Sequence, residues 1–168
     1  MSGYLNDPEA TAAVLSADGW LNTGDLGYQI EGNIVITGRA KDLIIINGKN
    51  IWPQDLEYLA EQQSEVRVGG SLAFSVPNPS GGEICVLMIQ CRQADPVKRS
   101  KLISRLTGII RTELGIDCYI TLVSKRKLPR TSSGKLSRSK ARLNFMTAHD
   151  LDRLVEIADE NELRKSIA

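Results

Sequence analysis

The stretch Pro77-Asn78-Pro79-Ser80-Gly81-Gly82 admits nothing but a loop, because its prolines lack an N–H to donate and its glycines favour turns. It divides two strand candidates, Ser71 to Val76 and Glu83 to Gln90. Around them the pattern alternates. Leu43-Ile44-Ile45-Ile46 is a short apolar strand candidate stopped by the turn pair Asn47-Gly48. Pro53 suits the first position of a helix running to about Gln63, with Leu56 and Leu59-Ala60 on its inner face. Pro96 to about Leu114 carries Val97, Leu102, Ile103, Leu106, Ile109, Ile110 and Leu114 as a helical stripe that Gly115 ends. Cys118 to Val123 is a further strand, followed by a short helix near Ser137 to Phe145 and a polar helix from about Asp150. From Asp42 onward the predicted order is strand, helix, strand, strand, helix, strand, helix. This is an α+β fold, with a mixed or mostly antiparallel sheet covered by helices.

The first third has a different texture. It is rich in Gly, Asn and Asp, with turn signals at Asp18-Gly19 and Glu31-Gly32-Asn33 and a β-branched run Ile34-Val35-Ile36-Thr37, and it reads as short strands joined by turns. The expected organisation is residues 1–38 as the β-rich end of a larger preceding domain, 39–42 as a hinge, and 43–168 as a mobile small domain. A chain of 168 residues with 42% hydrophobic content can bury a real core. Its net charge of +1 excludes binding of nucleic acid or membranes through bulk charge.

Cys85, Cys91 and Cys118 are odd in number, form no CxxC pair and lie in or beside apolar runs, which suits buried thiols in a reducing compartment better than a metal site. No apolar stretch approaches the roughly 20 residues of a membrane span, and Met1-Ser2-Gly3-Tyr4 is not a basic and apolar leader. A cytoplasmic setting is expected.

Three segments carry candidate chemistry. In the first, Lys125, Arg126, Lys127, Arg130, Lys135, Arg138, Lys140 and Arg142 occur with no intervening acid. One reading is a solvated face offset by the acids after Asp150. A nucleic-acid patch is a second, but only Phe145 supplies an aromatic nearby. A Walker phosphate loop is excluded, since it needs glycine where Pro129 stands and Ser or Thr where Leu136 stands. A third reading makes Lys135, behind a flexible Thr131-Ser132-Ser133-Gly134 stretch, a mobile cation that meets an anion where charge develops and water is excluded. The second segment, Trp20-Leu21-Asn22-Thr23-Gly24-Asp25, holds either an ordinary turn acid or, in Asp25, a bidentate acceptor for the vicinal hydroxyls of a ribose. In the third, Gly38-Arg39-Ala40-Lys41-Asp42, Arg39 is either a surface charge or a ligand contact at a domain junction.

Taken in order, Trp20 to Asp25, Gly38 to Glu57 and Pro129 to Lys135 resemble the C-terminal signature of the acyl-adenylate-forming superfamily, which includes acyl-CoA synthetases, peptide-synthetase adenylation domains and luciferases. The resemblance implies attack of a carboxylate on the α-phosphate of ATP with Mg2+, giving acyl-AMP and pyrophosphate, and then acyl transfer to a thiol. It makes Asp25 the ligand of the AMP ribose hydroxyls, Arg39 a contact to ribose or phosphate, Lys41 with Asp42 the hinge, and Lys135 the catalytic lysine of the first half-reaction. After adenylation the family's small domain rotates, withdrawing the lysine and bringing the Gly48 segment to the acyl-AMP. A charge that favours pyrophosphate departure would obstruct an incoming thiol, so separate settings for the two steps are reasonable.

The run Lys41 to Glu57, with its Gly-x-Asn-x-aromatic-Pro-x-Asp-aliphatic-Glu form, resembles fatty acyl-AMP ligases, which hand the acyl group to an acyl carrier protein. The expected function is therefore the C-terminal domain of such a ligase, acting on a fatty acid. Alternatives are the same domain of a fatty acyl-CoA synthetase, with CoA as acceptor, and a non-catalytic module that docks on a carrier protein or phosphate. ATP and Mg2+ are expected to be held mainly by the chain's own large N-terminal domain, so that residues 1–168 alone do not turn over. No metal ligand, nucleic-acid partner or membrane span is expected.

Overall fold

The computed structural model describes residues 1–124 and 127–148; the basic pair Lys125-Arg126 and the polar helix expected from Asp150 lie outside the described residues. The chain divides after Leu43 into two compact units.

The first unit opens with a helix, α1 (Pro8–Val14), that the strand-and-turn reading of this third does not contain. Its start is locally specified. Asp7 Oδ1 accepts from the Ala10 N–H at 2.9 Å, and Pro8 occupies a first-turn position where its missing N–H costs nothing. The glycine-rich composition of the region hides this short Asp-Pro signal. Strands β1 (Asp25–Ile30) and β2 (Asn33–Arg39) then form an antiparallel hairpin, turning at Glu31 and Gly32 with φ of 49° and 82°. A bulge between Leu26 and Gly27 shifts the register, and a Cβ on Gly27 would lie 2.5 Å from the Val35 carbonyl oxygen. A single 3-10 turn, Ala40–Asp42, follows.

The second unit is α+β. Its centre is a three-stranded sheet in the order β5-β6-β7, in which β5 (Val66–Pro77) pairs antiparallel with β6 (Glu83–Cys91), and β6 pairs parallel with β7 (Tyr119–Val123). The Pro77–Gly82 separator joins β5 to β6. The parallel pairing requires a crossover, supplied by the 19-residue helix α3 (Pro96–Leu114). Asp95 caps α3 through contacts from Val97 N at 2.8 Å and Lys98 N at 3.4 Å, and Gly115 ends it in the left-handed conformation at φ 64°. Sequence reasoning predicts these bounds closely, because the caps at both ends are local.

Strands β3 (Ile44–Ile46) and β4 (Lys49–Ile51) form a second small hairpin about Asn47-Gly48. The sequence reading stops at this turn and has no β4, whose three residues are too short to show a period. Helix α2 (Pro53–Glu61) follows, and α4 (Arg138–Ala148) comes last among the described residues.

Alternation along the strands gives the sheet two covered faces. Ala73, Cys85, Leu87, Ile89 and Ile120 point to one cluster with Ile44, Ile46 and Ile51 of the hairpin, Leu56 and Ala60 of α2, and Leu102, Leu106 and Ile110 of α3. Leu72, Phe74, Val76 and Val86 point to the other, against Leu128 and Ala141 and Phe145 of α4. At about 1.5–3 kcal/mol for each large apolar side chain fully buried, these clusters dominate the unit's stability. The three cysteines are free thiols; Cys85 and Cys91 are buried, and Cys118 is half-buried. Desolvation, with the Cys85 thiol 3.3 Å away, holds the Cys118 thiol well above its ordinary range. Among the described residues no helix is long and apolar enough to cross a membrane.

Candidate functional site

The hairpin of the first unit brings together two residues that the sequence separates by 14 positions. Asp25 begins β1 and Arg39 ends β2, directly opposite each other in register, and Arg39 Nε donates to Asp25 Oδ1 at 3.1 Å. The approach to Asp25 is a chain of short-range contacts. Asn22 Oδ1 accepts from Gly24 N at 2.9 Å, Thr23 Oγ1 accepts from Asp25 N at 3.2 Å, and Gly24 takes φ 72°, which suits glycine. The Gly24 carbonyl in turn accepts from Ala40 N at 3.0 Å, closing the hairpin's end just before the Ala40–Asp42 turn. Both side chains remain open to solvent, and an exposed pair of this kind adds at most about 1 kcal/mol to stability. The pair presents a carboxylate and a guanidinium side by side at the open end of the hairpin. Lys41 is exposed and Asp42 half-buried in the turn that ends this unit.

Lys135 and Gly48 belong to the second unit. Gly48 occupies the second position of a two-residue turn, with Asn47 at φ 50° and Gly48 at φ 75°, and Ile46 paired to Lys49 across it. Lys49 Nζ donates to the Gly115 carbonyl at 3.1 Å, so a cation sits at the negative end of α3 and ties the turn to that helix.

The segment around Lys135, Thr131-Ser132-Ser133-Gly134 and its neighbours, is a closed loop. Arg130 and Leu136 form an antiparallel bridge, Thr131 N donates to Lys135 O at 2.8 Å, and Gly134 N donates to Thr131 O at 2.9 Å. Gly134 supplies the left-handed residue at φ 82°, and Arg130 Nη1 donates to its carbonyl at 2.7 Å. Ser137 N donates to Pro129 O at 3.0 Å, joining the two ends of the loop. The backbone of Lys135 is thus fixed while its side chain is exposed.

Gly48 and Lys135 are carried on opposite faces of the sheet. The β3-β4 hairpin packs in the cluster with α2 and α3, whereas Leu128 and Leu136, which flank the loop of Lys135, pack in the cluster with α4.

Glu57 and Arg138 form a site that sequence reasoning misses. Arg138 Nη2 donates to both Glu57 oxygens at 2.8 Å, and the two side chains are 23% and 16% exposed, so most of the pair is out of water. Burial pushes the Glu57 carboxyl above its ordinary value, against the opposing pull of the Ala73 N–H and the Arg138 charge. Arg138 stands three residues after Lys135 and Glu57 closes the motif begun at Gly48, so each lies at or beside a motif. Their pairing across 81 residues has no local signal.

Among the described residues, no three His, Cys, Asp or Glu side chains gather as a metal site. No family model matches the chain. It is 50% identical, over 87% of its length, to a Caulobacter vibrioides (strain NA1000 / CB15N) protein named "Putative acyl-CoA synthetase", of which it covers 26%. It is 35% identical, over 86% of its length, to the long-chain-fatty-acid–AMP ligase FadD32 of Mycolicibacterium smegmatis (strain ATCC 700084 / mc(2)155), covering 29% of that protein. A solved chain from a structural and functional study of fatty acyl-adenylate ligases from E. coli and L. pneumophila superposes with a TM-score of 0.77 at 44% identity, over 88% of this chain and 26% of the other. The chain therefore spans about a quarter of the length of these three relatives. Similarity of this extent groups the chain with the acyl-adenylate-forming, AMP-binding proteins, to whose C-terminal domain it corresponds.

Proposed function

We propose that the chain serves as the C-terminal part of a fatty acyl-AMP ligase, which joins a fatty acid to ATP as acyl-AMP with release of pyrophosphate and then passes the acyl group to a carrier-protein thiol. The observation that carries this reading is the Asp25–Arg39 pair, where a hairpin aligns an acceptor for a ribose diol with a donor for its phosphate at 3.1 Å. Lys135 supplies the second charge. Its exposed ammonium on a fixed loop would meet the phosphate oxygens and the substrate carboxylate, where preorganised charge lowers the barrier. Lys41 and Asp42, in the turn before the boundary at Leu43, would act as the hinge between the adenylating and transferring arrangements. The Gly48 turn would lie along the thiol's approach. ATP and its Mg2+ would be bound mainly by the large domain of the same enzyme.

The fatty acyl-AMP reading draws support from the Gly48 to Glu57 pattern and from the likeness to FadD32 and to the fatty acyl-adenylate ligases. The 50% identical relative, named as an acyl-CoA synthetase, favours a second reading in which CoA is the acceptor. Incubating the enzyme, complete with its ATP-binding domain, with fatty acid, ATP and either CoA or a phosphopantetheinylated carrier protein separates the two. Product with the carrier alone supports the first reading, and acyl-CoA overturns it.

Adenylation itself is tested by Lys135→Ala. Pyrophosphate release should fall by at least about a hundredfold, the effect of losing one preorganised transition-state donor, while transfer from preformed acyl-AMP is retained. Unchanged pyrophosphate release would remove Lys135 from the first half-reaction.

A further inference from the structure

Two arginines bracket the loop of Lys135, and both reach the outer edge of β5, the side that does not pair with β6. Arg130 Nη2 donates to the Gly69 carbonyl at 3.4 Å, and Arg138 Nε donates to the Ala73 carbonyl at 3.2 Å. The N–H groups of the same two residues are taken by acids of α2. Gly69 N donates to Glu61 Oε1 and Ala73 N to Glu57 Oε1, each at 2.9 Å. An edge strand ordinarily leaves such groups to water or to another strand. Here each residue is completed by an acid from α2 on its donor and an arginine flanking the loop on its acceptor.

The local structure of β5 makes this possible. Between the pairs Val66–Cys91 and Ser71–Ile89, residues 67–70 stand opposite Gln90 alone, a bulge with Gly69 at φ 68°. At the other anchor no bulge is needed, because Ala73 is in regular register with Leu87. Each arginine also grips something besides the strand, Arg130 the Gly134 carbonyl and Arg138 the Glu57 carboxylate.

We infer that Arg130 and Arg138 are positioning residues for Lys135: together they seat the loop on the β5 edge, so that the ammonium is presented from a preset backbone. The inference deepens the reading of Lys135 given above and rests on it. A catalytic cation held this way loses little freedom when the substrate arrives, and displacing it by an ångström can cost about a hundredfold in rate.

The test uses Arg130→Gln and Arg138→Lys in the enzyme that carries its ATP-binding domain. Arg138→Lys keeps the charge but loses the planar fork. Amide hydrogen exchange at Thr131 and Gly134 should rise at least about tenfold while the β6 amides keep their protection, which separates loop release from general unfolding. In the same variants kcat for adenylation should fall roughly tenfold to a hundredfold, with KM for ATP and transfer from preformed acyl-AMP unchanged. Wild-type exchange in the loop overturns the inference. So does faster exchange with normal adenylation when Lys135→Ala is impaired, or an equal loss in both half-reactions. If Lys135→Ala leaves adenylation intact, the functional reading of that lysine fails, and the exchange measurement alone decides whether the arginines hold the loop.

Discussion

The Asn47-Gly48 turn and the Thr131–Lys135 loop are carried on opposite faces of one sheet, and they are held in place by different means. The first is closed by two adjacent residues with positive φ and would form in almost any hairpin. The second closes on itself through two backbone bonds, but its seat depends on β5 and α2, more than 60 residues away in sequence. A local turn survives the loss of distant packing, whereas a docked loop does not. If the two segments serve different half-reactions, damage to the fold should separate those reactions.

The sharpest way to break this comparison is to remove a side chain from one face alone. Phe145 of α4 packs edge-on against Phe74 and Tyr119, with ring centroids 5.7 Å apart in both pairs. Phe145→Ala should cost about 3–5 kcal/mol in denaturant unfolding. Amide exchange in the Thr131–Lys135 loop should accelerate well before exchange in the β3-β4 hairpin, and equal acceleration in both would mean that the faces are not independent.

A smaller loss is expected from Glu57→Ala, about 2–4 kcal/mol, because it leaves the Ala73 N–H without its acceptor and removes both contacts of Arg138 to the carboxylate. Unfolding of the variant alongside Arg138→Ala and the double variant would measure the coupling, and additive losses would refute it. On the hairpin side, Gly48→Ala places a Cβ on a residue at φ 75° and should cost about 1–2 kcal/mol. It should leave the exchange of the Thr131 and Gly134 amides untouched.

The smallest effect belongs to the surface pair Glu65–Arg105, at 2.8 Å, where the arginine's hydrogen bond holds the Glu65 carboxyl below its ordinary range. Its contribution, about 0.2–1 kcal/mol, is complete above the ordinary carboxylate pKa and is lost as pH falls through the depressed folded value. Glu57, raised by burial, has the opposite sign: its titration favours the fold below the ordinary carboxylate pKa, and that contribution is lost as pH rises through the raised folded value. Glu65→Gln should therefore flatten the acid limb of a stability profile, and a steeper limb would show the sign to be wrong.

The same distinction explains what can be read in the sequence. Helix α3 is legible because Asp95, Pro96 and Gly115 act within a turn of its ends, and the Asn47-Gly48 reversal because both residues are self-specifying. Asp25 and Arg39 are each legible as candidates, yet neither segment says that they meet. Only the register of β1 on β2 does that. The closed form of the Lys135 loop is illegible for a related reason. Thr131-Ser132-Ser133-Gly134 is flexible by composition, and its order comes from Arg130, Gly134 and a strand edge supplied by tertiary structure. The missing β4 is a matter of length, since three residues carry no period.

The covered edge of β5 bears on how the protein behaves in company. Strand edges with open N–H and C=O groups recruit strands from neighbouring molecules, and β5 is long and, Ser75 apart, apolar over Leu72 to Val76. The acids of α2 and the two arginines occupy the groups through which such recruitment would begin. A chain stripped of both arginines would offer its neighbours a template, and the first sign of trouble in solution would be self-association rather than melting.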